Sequence, residues 1–286
     1  MTWDDLDAHL DTVPGTVSAY VGRLGAAPTW TRLPDATHYA ASTMKVAVLV
    51  ALHRAAEAGR LDLDQPVPVR NAFDSALPGA PRYANAQHYD NDDAVWARVG
   101  GTAPTRWLAE RMIVRSSNLA TNICLAQVGL PAVAQAWALA GARHSLTGRG
   151  IEDFAARDAG IDNLVTAADL AALLGELALG ASRPGPLASP AGCAAMLDVL
   201  FAQEHREDLA AGLPEGTRIA HKNGWVRGVR HGAGVVFPGD APPYAIVVCT
   251  TTELADGGPT GEEDEDDACR LIAGVSARVW QARHDL

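Results

Sequence analysis

Apolar and polar positions alternate with a strand-like period near both ends of the chain and with a helical period between them. Residues 3–13 read as a short amphipathic helix. Residues 15–24 (GTVSAYVGRL) and 29–33 read as two strands joined by a Gly-Ala-Ala-Pro turn. A short extended lead over 38–41 enters the clearest helix in the chain, 42–58 (STMKVAVLVALHRAAEA). Residues 62–70 (DLDQPVPVR) are proline-broken and extended. Residues 71–101, rich in Gly, Pro, Asn and Asp, predict a long irregular connection, a length at which loops usually carry function or are disordered. Helices are expected over 104–114, from 116 or 117 to 128, over 130–140, over 166–178 with Thr166 as its cap, and over 191–207. A polar, Gly-punctuated loop separates them at 144–163. The last third turns strand-like at 218–222, 233–237 and 244–252. An acidic stretch, 262–267, then precedes an apolar run over 269–279, where acids suit a helix N-terminus.

Strands at both termini and helices between them predict an α+β fold. One antiparallel sheet is covered by terminal helices, an all-helical lobe sits beside it, and a cleft runs between the two. The expected division is an α/β lobe of residues 1–41 and 210–286 and a helical lobe of residues 42–209, all one domain. No internal repeat is visible.

With 286 residues, 48% of them hydrophobic and 20% charged, the chain has enough apolar sequence for a sizeable core. A net charge of −11 and a pI of about 5.2 argue against nucleic acid and anionic membranes as partners. The first residues, MTWDDLDAHLDTV, are acidic and amphipathic with no signal-peptide pattern, and no run of about 20 apolar residues occurs. The expectation is a cytoplasmic monomer acting on a small molecule. Cys124, Cys193, Cys249 and Cys269 are widely spaced and read as buried free thiols. The histidines lack metal-ligand spacing, so neither a metal nor a cofactor is expected.

The candidate chemistry begins at Ser42-Thr43-Met44-Lys45. In a helix, residues i and i+3 share a face, so Ser42 Oγ and Lys45 Nζ can meet within hydrogen-bond reach. A serine hydroxyl needs a base to become a nucleophile, and a lysine in apolar surroundings can be neutral enough to serve. S-x-x-K alone is a weak signal. Its weight rises because lysine occurs only at Lys45 and Lys222, and the remaining long basic side chains are arginines, which cannot release a proton. Three further features stand on elements that can face this turn. Ser116-Ser117-Asn118 opens a helix, where a hydroxyl can relay a proton and an amide can hold a carbonyl, although Ser and Asn are also ordinary helix caps. His221-Lys222-Asn223-Gly224 ends a strand, where glycine permits close approach and the lysine brings positive charge, although a surface lysine before a turn reads the same way. Glu152 lies in the polar loop, where a carboxylate can orient a hydrolytic water or be merely solvated.

Taken together, S-x-x-K, S-x-N and K-x-G, in that order at the start of a helix, the start of a helix and the end of a strand, are the signature of the penicillin-recognising serine enzymes. The chain resembles the class A β-lactamases and their class A-like serine hydrolase relatives from about residue 20 to the C-terminus. The likeness includes MIVRSSNLATN, the loop GRGIEDFAARDAGIDNLVTAADL and IAHKNG before two strands. The resemblance implies Ser42 as the acylated nucleophile, Lys45 as its partner and Ser116 as proton shuttle. It implies Lys222 as the group setting the field around Ser116, and Glu152, by its offset from Ser116, as the general base of deacylation. Asn118 would bind the substrate amide, and the N–H groups of Ser42 and Trp225 would form the oxyanion hole. Asn223, Gly224, Trp225, Arg227 and Arg230 would line the substrate site, with Arg227 or Arg230 pairing a carboxylate.

The chain departs from that pattern in several places. Asn223 stands where a Thr or Ser hydroxyl is usual, Ser117 is the middle residue of S-D-N, and Ala156 occupies the expected asparagine of the loop. The 71–101 connection is longer than the family norm, and no export signal is visible. The resulting expectation is an acyl hydrolase working through acyl-Ser42 on a small amide or ester, with weak or absent β-lactam turnover. The alternatives are a cytosolic acyltransferase of specialised metabolism and a non-catalytic binding protein on the same fold.

Overall fold

The computed structural model describes residues 2–256 and 266–286. The chain begins with α1 (Trp3–Leu10), β1 (Thr16–Arg23), β2 (Trp30–Arg32) and β3 (His38–Tyr39). A 3₁₀ turn (Ala41–Met44) leads into α2 (Lys45–Glu57). Then come β4 (Pro66–Pro68), α3 (Asp93–Trp96), β5 (Thr102–Pro104), α4 (Thr105–Val114), α5 (Asn118–Val128) and α6 (Leu130–Leu139). The next elements are β6 (Leu146–Thr147), α7 (Phe154–Asp158), β7 (Asn163–Val165), α8 (Ala167–Gly180) and α9 (Pro190–Phe201). The chain closes with β8 (Arg218–Val226), β9 (Val229–Phe237), β10 (Tyr244–Thr251) and α10 (Asp267–Gln281). The expected α+β architecture is present.

Strands from both ends of the chain form a five-stranded antiparallel sheet in the order β2-β1-β10-β9-β8. Its outer face packs on α1 and α10 through Leu6, Leu10, Val248, Ile272, Val275 and Val279. Thr2 caps α1 and Asp266 caps α10, each satisfying a helix N–H that has no partner within its own helix. Asp266 and Asp267 thus occupy the acidic helix start expected from the sequence, while residues 262–265 of that stretch lie outside the described residues. The inner face meets the helical core. That core is built around α2, whose residues 45–53 are all buried, so α2 is surrounded rather than amphipathic. α8 lies across β1, β9 and β10, and α9 lies against β8, so these two helices form the seam between sheet and helical lobe.

Three boundaries differ from the sequence reading. β8 and β9 run past their expected ends, because Asn223-Gly224 and Gly232 are buried strand positions rather than turns. α9 stops at Phe201 instead of continuing to 207. Residues beyond it leave the helix so that Glu207 can reach Arg230 on β9, at 3.8 Å. The 71–101 connection is largely irregular as expected, and it is tied down by a Phe73–Tyr83 bridge and the short helix α3.

Candidate active site

The Ser42 turn is fixed from both sides. Ala40 N donates to Asn163 O at 2.9 Å, which ties the turn to β7, and Ala41 takes a left-handed φ of 44° to start it. Ser42 lies in the 3₁₀ turn, and the α-helix proper starts at Lys45, three residues later than the sequence suggested. At three residues per turn, positions 42 and 45 still eclipse one another. β8 is an edge strand, so one backbone edge is free to meet a substrate. Its Gly224 passes so close to the turn that a Cβ there would sit 2.8 Å from Ser42 N and 3.1 Å from Thr43 N. Glycine is required by that approach.

Lys45 is fully buried. Its Nζ donates to Ser116 O at 2.7 Å, Ser116 Oγ at 3.2 Å and Asn118 Oδ1 at 3.0 Å. None of these bonds reaches Ser42 Oγ, so the direct Ser42–Lys45 hydrogen bond expected from the sequence is absent. Three acceptors on the α5 side draw the amine instead. Burial lowers the Lys45 pKa to about 7, and the negative charges of Asp90 and then Glu152 work against that drop. Ser116 is buried in a left-handed conformation, φ 57°, which turns its hydroxyl back toward the amine. Ser117 caps α5 through Ala120 N, the role sequence alone favoured for one of this pair. Asn118 Nδ2 donates to Tyr89 O at 2.9 Å, so its amide is held from both ends.

The second lysine departs from expectation. Lys222 is fully buried, and its amine donates to Asn223 O at 2.9 Å and Asn223 Oδ1 at 3.1 Å, not to Ser116. Burial, and next the charge of Lys45, hold its pKa well below the usual lysine range. Asn223 is buried as well and does not line the cleft. Its carboxamide oxygen accepts from Lys222 Nζ, and it lies beside the buried Asp208 carboxyl, whose pKa burial raises to about 6. Trp225 and Arg227 do line the cleft. Arg230 does not: it is buried, 3.8 Å from Glu207 and stacked over Trp225 at 5.1 Å, and it steadies that ring from behind.

Glu152 faces the same cleft in a left-handed conformation, φ 65°. Its Oε1 accepts from Asn85 Nδ2 at 2.9 Å and its Oε2 from Ala86 N at 2.8 Å. Burial raises its pKa, while those two donors and His88 oppose the rise. Ala156 is buried in α7 and offers no side-chain polar group. Ser42, Asn118, Glu152, Trp225 and Arg227 thus converge on one cleft of about 820 Å³, with Tyr39, Tyr89, Phe154 and Val226 as apolar lining. Tyr89, Phe154 and Val226 are exposed at its mouth.

Several residues of the site escaped the sequence reading. Asn122 Oδ1 accepts from Ile151 N at 2.8 Å, and its Nδ2 donates to Ile151 O at 2.8 Å and Asn85 Oδ1 at 2.9 Å, pinning the Glu152 loop to α5. Asp90 accepts from Leu119 N at 2.8 Å and Ser117 Oγ at 3.2 Å at the start of α5. Asp153 ties the same loop to Ser75 Oγ and Ala76 N, each at 2.7 Å. The Asn/Asp density of 71–101 was the signal for Asp90, while Asn122 and Asp153 stand in MIVRSSNLATN and GRGIEDFAARDAGIDN without a feature that singles them out.

A cleft between an antiparallel sheet and a helical lobe, with a serine and a buried lysine on one helical turn, defines the architecture of an active-serine enzyme. A sequence model of the beta-lactamase enzyme family matches residues 2–282, and the chain belongs to that family of serine hydrolases. Among solved structures, a class A beta-lactamase from Mycobacterium abscessus superposes with a TM-score of 0.78 at 20% identity, covering 99% of each chain. A beta-lactamase from Sphaerobacter thermophilus gives 0.76 at 24% identity, covering 100% of this chain and 99% of its own. A mutant of PBP-A, solved as its acyl-enzyme complex with penicillin G, gives 0.76 at 23% identity, covering 99% of this chain and 96% of its own. These likenesses establish a shared fold. No curated protein matched the chain.

Proposed function

We propose that the protein is a serine acyl hydrolase that forms an acyl-Ser42 intermediate on a small amide or ester and releases it to water. The observation that carries this reading is the Lys45 amine, buried beside the nucleophile turn with a pKa of about 7 and bonded to the Ser116 hydroxyl. A neutral amine accepts a proton where an ammonium cannot. As Ser42 Oγ attacks the carbonyl carbon, its proton passes to Lys45, with Ser116 Oγ as relay. The developing oxyanion is stabilised by the Ser42 N–H, and Ser116 returns a proton to the departing amine or alkoxide. In the second half, Glu152 takes a proton from water as the water oxygen adds to the acyl carbon, and that proton passes to Ser42 Oγ as it leaves, so that Ser42, Lys45, Ser116 and Glu152 all return to their starting states. The acyl-enzyme of the PBP-A mutant, a neighbour with the same fold, is consistent with this course.

Apolar lining at the mouth suits an acyl donor with an aryl or alkyl group, and Arg227, exposed at the rim, suits an anionic one. The same exposed surface of Tyr89, Phe154 and Val226 favours one second reading. An organic amine or alcohol retained there would accept the acyl group in place of water, which makes the protein an acyltransferase.

The test is intact-mass spectrometry after exposure to activated esters, β-lactams and a fluorophosphonate. Wild type should gain one acyl or phosphonyl adduct on Ser42, and Ser42→Ala should gain none. A Ser42→Ala protein that labels normally, at another residue, refutes the reading. Adding amines or alcohols to the acylated protein separates hydrolase from acyltransferase by the product formed.

A further inference from the structure

The donors that reach the Glu152 carboxylate do not come from its own loop. Asp153, the next residue, spends its carboxylate on Ser75, Ala76 and the start of α7, and Phe154, Ala155 and Ala156 carry no side-chain hydrogen-bonding group. Both carboxylate oxygens instead accept from the 71–101 connection, Oε1 from the Asn85 amide and Oε2 from the Ala86 backbone. We propose that Asn85 is the positioning residue of Glu152: its buried amide, locked between the 71–101 connection and α5, aims and ionises the carboxylate that activates the deacylating water. This inference rests on the acyl-Ser42 reading and adds the residue that sets its second half.

Every polar atom of the Asn85 side chain is committed. Nδ2 donates to Glu152 Oε1 at 2.9 Å and to Ile151 O at 3.1 Å, and Oδ1 accepts from Asn122 Nδ2 at 2.9 Å. The orientation of the amide is therefore fixed by Asn122, which can only donate to it through Nδ2 because its own Oδ1 holds Ile151 N. The backbone of Asn85 is locked in turn by Asn71. Asn85 N donates to Asn71 Oδ1 at 2.7 Å, and Asn71 Nδ2 donates to Asn85 O at 2.9 Å. An amide with one pose and no alternative partner is suited to hold a carboxylate in place. Each carboxylate oxygen keeps a second lone-pair direction, so two donors leave room for a water.

The electrostatic environment makes the amide matter. Glu152 is half-buried, and burial favours its neutral, catalytically idle form. The other titratable groups facing it are Lys45 from α2, Asp90, His88 and Tyr83 from the 71–101 connection, and its neighbours Asp153 and Arg149. Asp90 adds a like charge that raises the Glu152 pKa further, and His88 opposes it. The N–H groups of Asn85 and Ala86 are the donors that stabilise the anion directly.

The test titrates Glu152 itself. Proteins labelled with ¹³C at the glutamate side-chain carboxyls are followed by NMR against pH, with Glu152→Gln assigning the signal. Asn85→Leu should move the Glu152 titration upward by about one pH unit. Asn85→Asp, which keeps the shape and the acceptor for Asn122 but sets a carboxylate against Glu152, should move it at least as far and serves if the leucine variant fails to fold. Deacylation of an activated ester should follow: its acid limb moves upward by the same interval as the titration in each variant, so on that limb the leucine variant slows by up to about tenfold, while the acylation burst keeps its wild-type rate. An unmoved titration, or an acylation rate that falls as far as the deacylation rate, overturns the proposal. Failure of the underlying reading looks different: Glu152→Gln would then deacylate like wild type, or no adduct would form on Ser42 at all.

Discussion

If Lys45 accepts the Ser42 proton, acylation should be governed by a single ionisation near neutrality, and that is measurable without knowing the natural substrate. Burial brings the Lys45 pKa down to about 7. The neutral, competent fraction is then about 0.09 at pH 6, about one half at pH 7 and about 0.91 at pH 8, a tenfold rise over two pH units. The burst rate with an activated ester, read by stopped-flow release of the leaving group, should climb with unit slope below pH 7 and level off above it. The charges that oppose the burial effect supply a perturbation with a definite sign. Asp90 is the larger of the two, and it holds α5 through Leu119 N and Ser117 Oγ. Asp90→Asn removes the charge and keeps an acceptor for both donors. Without the anion the ammonium form loses support, the Lys45 pKa falls, and the acid limb of the burst moves to lower pH. The variant should therefore acylate faster than wild type at pH 6 and equally at pH 8. Lys45→Arg gives the opposite extreme: the guanidinium stays protonated at every accessible pH, so the burst should drop by orders of magnitude with no acid limb left to shift. A burst flat from pH 6 to pH 8 in wild type, or an acid limb that Asp90→Asn moves upward, would refute proton acceptance by Lys45.

Other consequences follow from the same geometry. Gly224→Ala places a methyl group 2.8 Å from Ser42 N, so the edge strand and the nucleophile turn must separate, and the burst rate should fall at least about a hundredfold while the thermal midpoint changes far less. Because Asn223 is turned toward Lys222 and Asp208 instead of the cleft, nitrocefin and benzylpenicillin should turn over slowly, and turnover near that of an efficient β-lactamase would contradict this placement. His38, His53, His221 and His231 are buried, with pKa values lowered by burial to about 3, 4, 3 and 4. The unfolded chain takes up protons below about pH 6.5 that the folded chain refuses until about pH 4, so stability should fall with pH through that window by up to about 1.4 kcal/mol per unit for each histidine. Asp208, raised to about 6, works the other way by one group, so a urea midpoint that holds or rises from pH 7 to pH 5 would refute the four-histidine argument.

What the sequence disclosed of this site is what short-range geometry decides. Ser42 and Lys45 are three residues apart, and either a 3₁₀ turn or an α-helix puts them on one face, so mistaking one for the other did not disturb that placement, although the amine itself turns to Ser116 and Asn118. The order of Ser42, Ser116 and Lys222 along the chain, with two helix starts and a strand end around them, sufficed to read the fold. Asn223-Gly224 misled because the pair has the chemistry of a turn. Only the packing of β8 against Ser42 N shows that glycine is needed there for close approach inside a strand. The state of the lysines was out of reach for a deeper reason. Lys222 looks like a source of positive charge in any sequence, yet burial and the nearby Lys45 act against that charge, and both influences come from residues far away in the chain. Asn85 was hidden in the same way. Nothing in ANAQHY distinguishes an amide that grips Glu152 from one in solvent, because the grip is set by Asn122 on α5 and Asn71 across the loop. Local spacing therefore brings Ser42 and Lys45 to one face, while long-range packing sets the protonation of the lysine and the aim of the Glu152 carboxylate. The rate of the first half-reaction should follow substitutions around α5, and that of the second should follow substitutions in the 71–101 connection. Asp90→Asn and Asn85→Leu fall on opposite sides of that division, although both residues lie in the same irregular segment, and the two variants together test whether one loop tunes each half of the reaction separately.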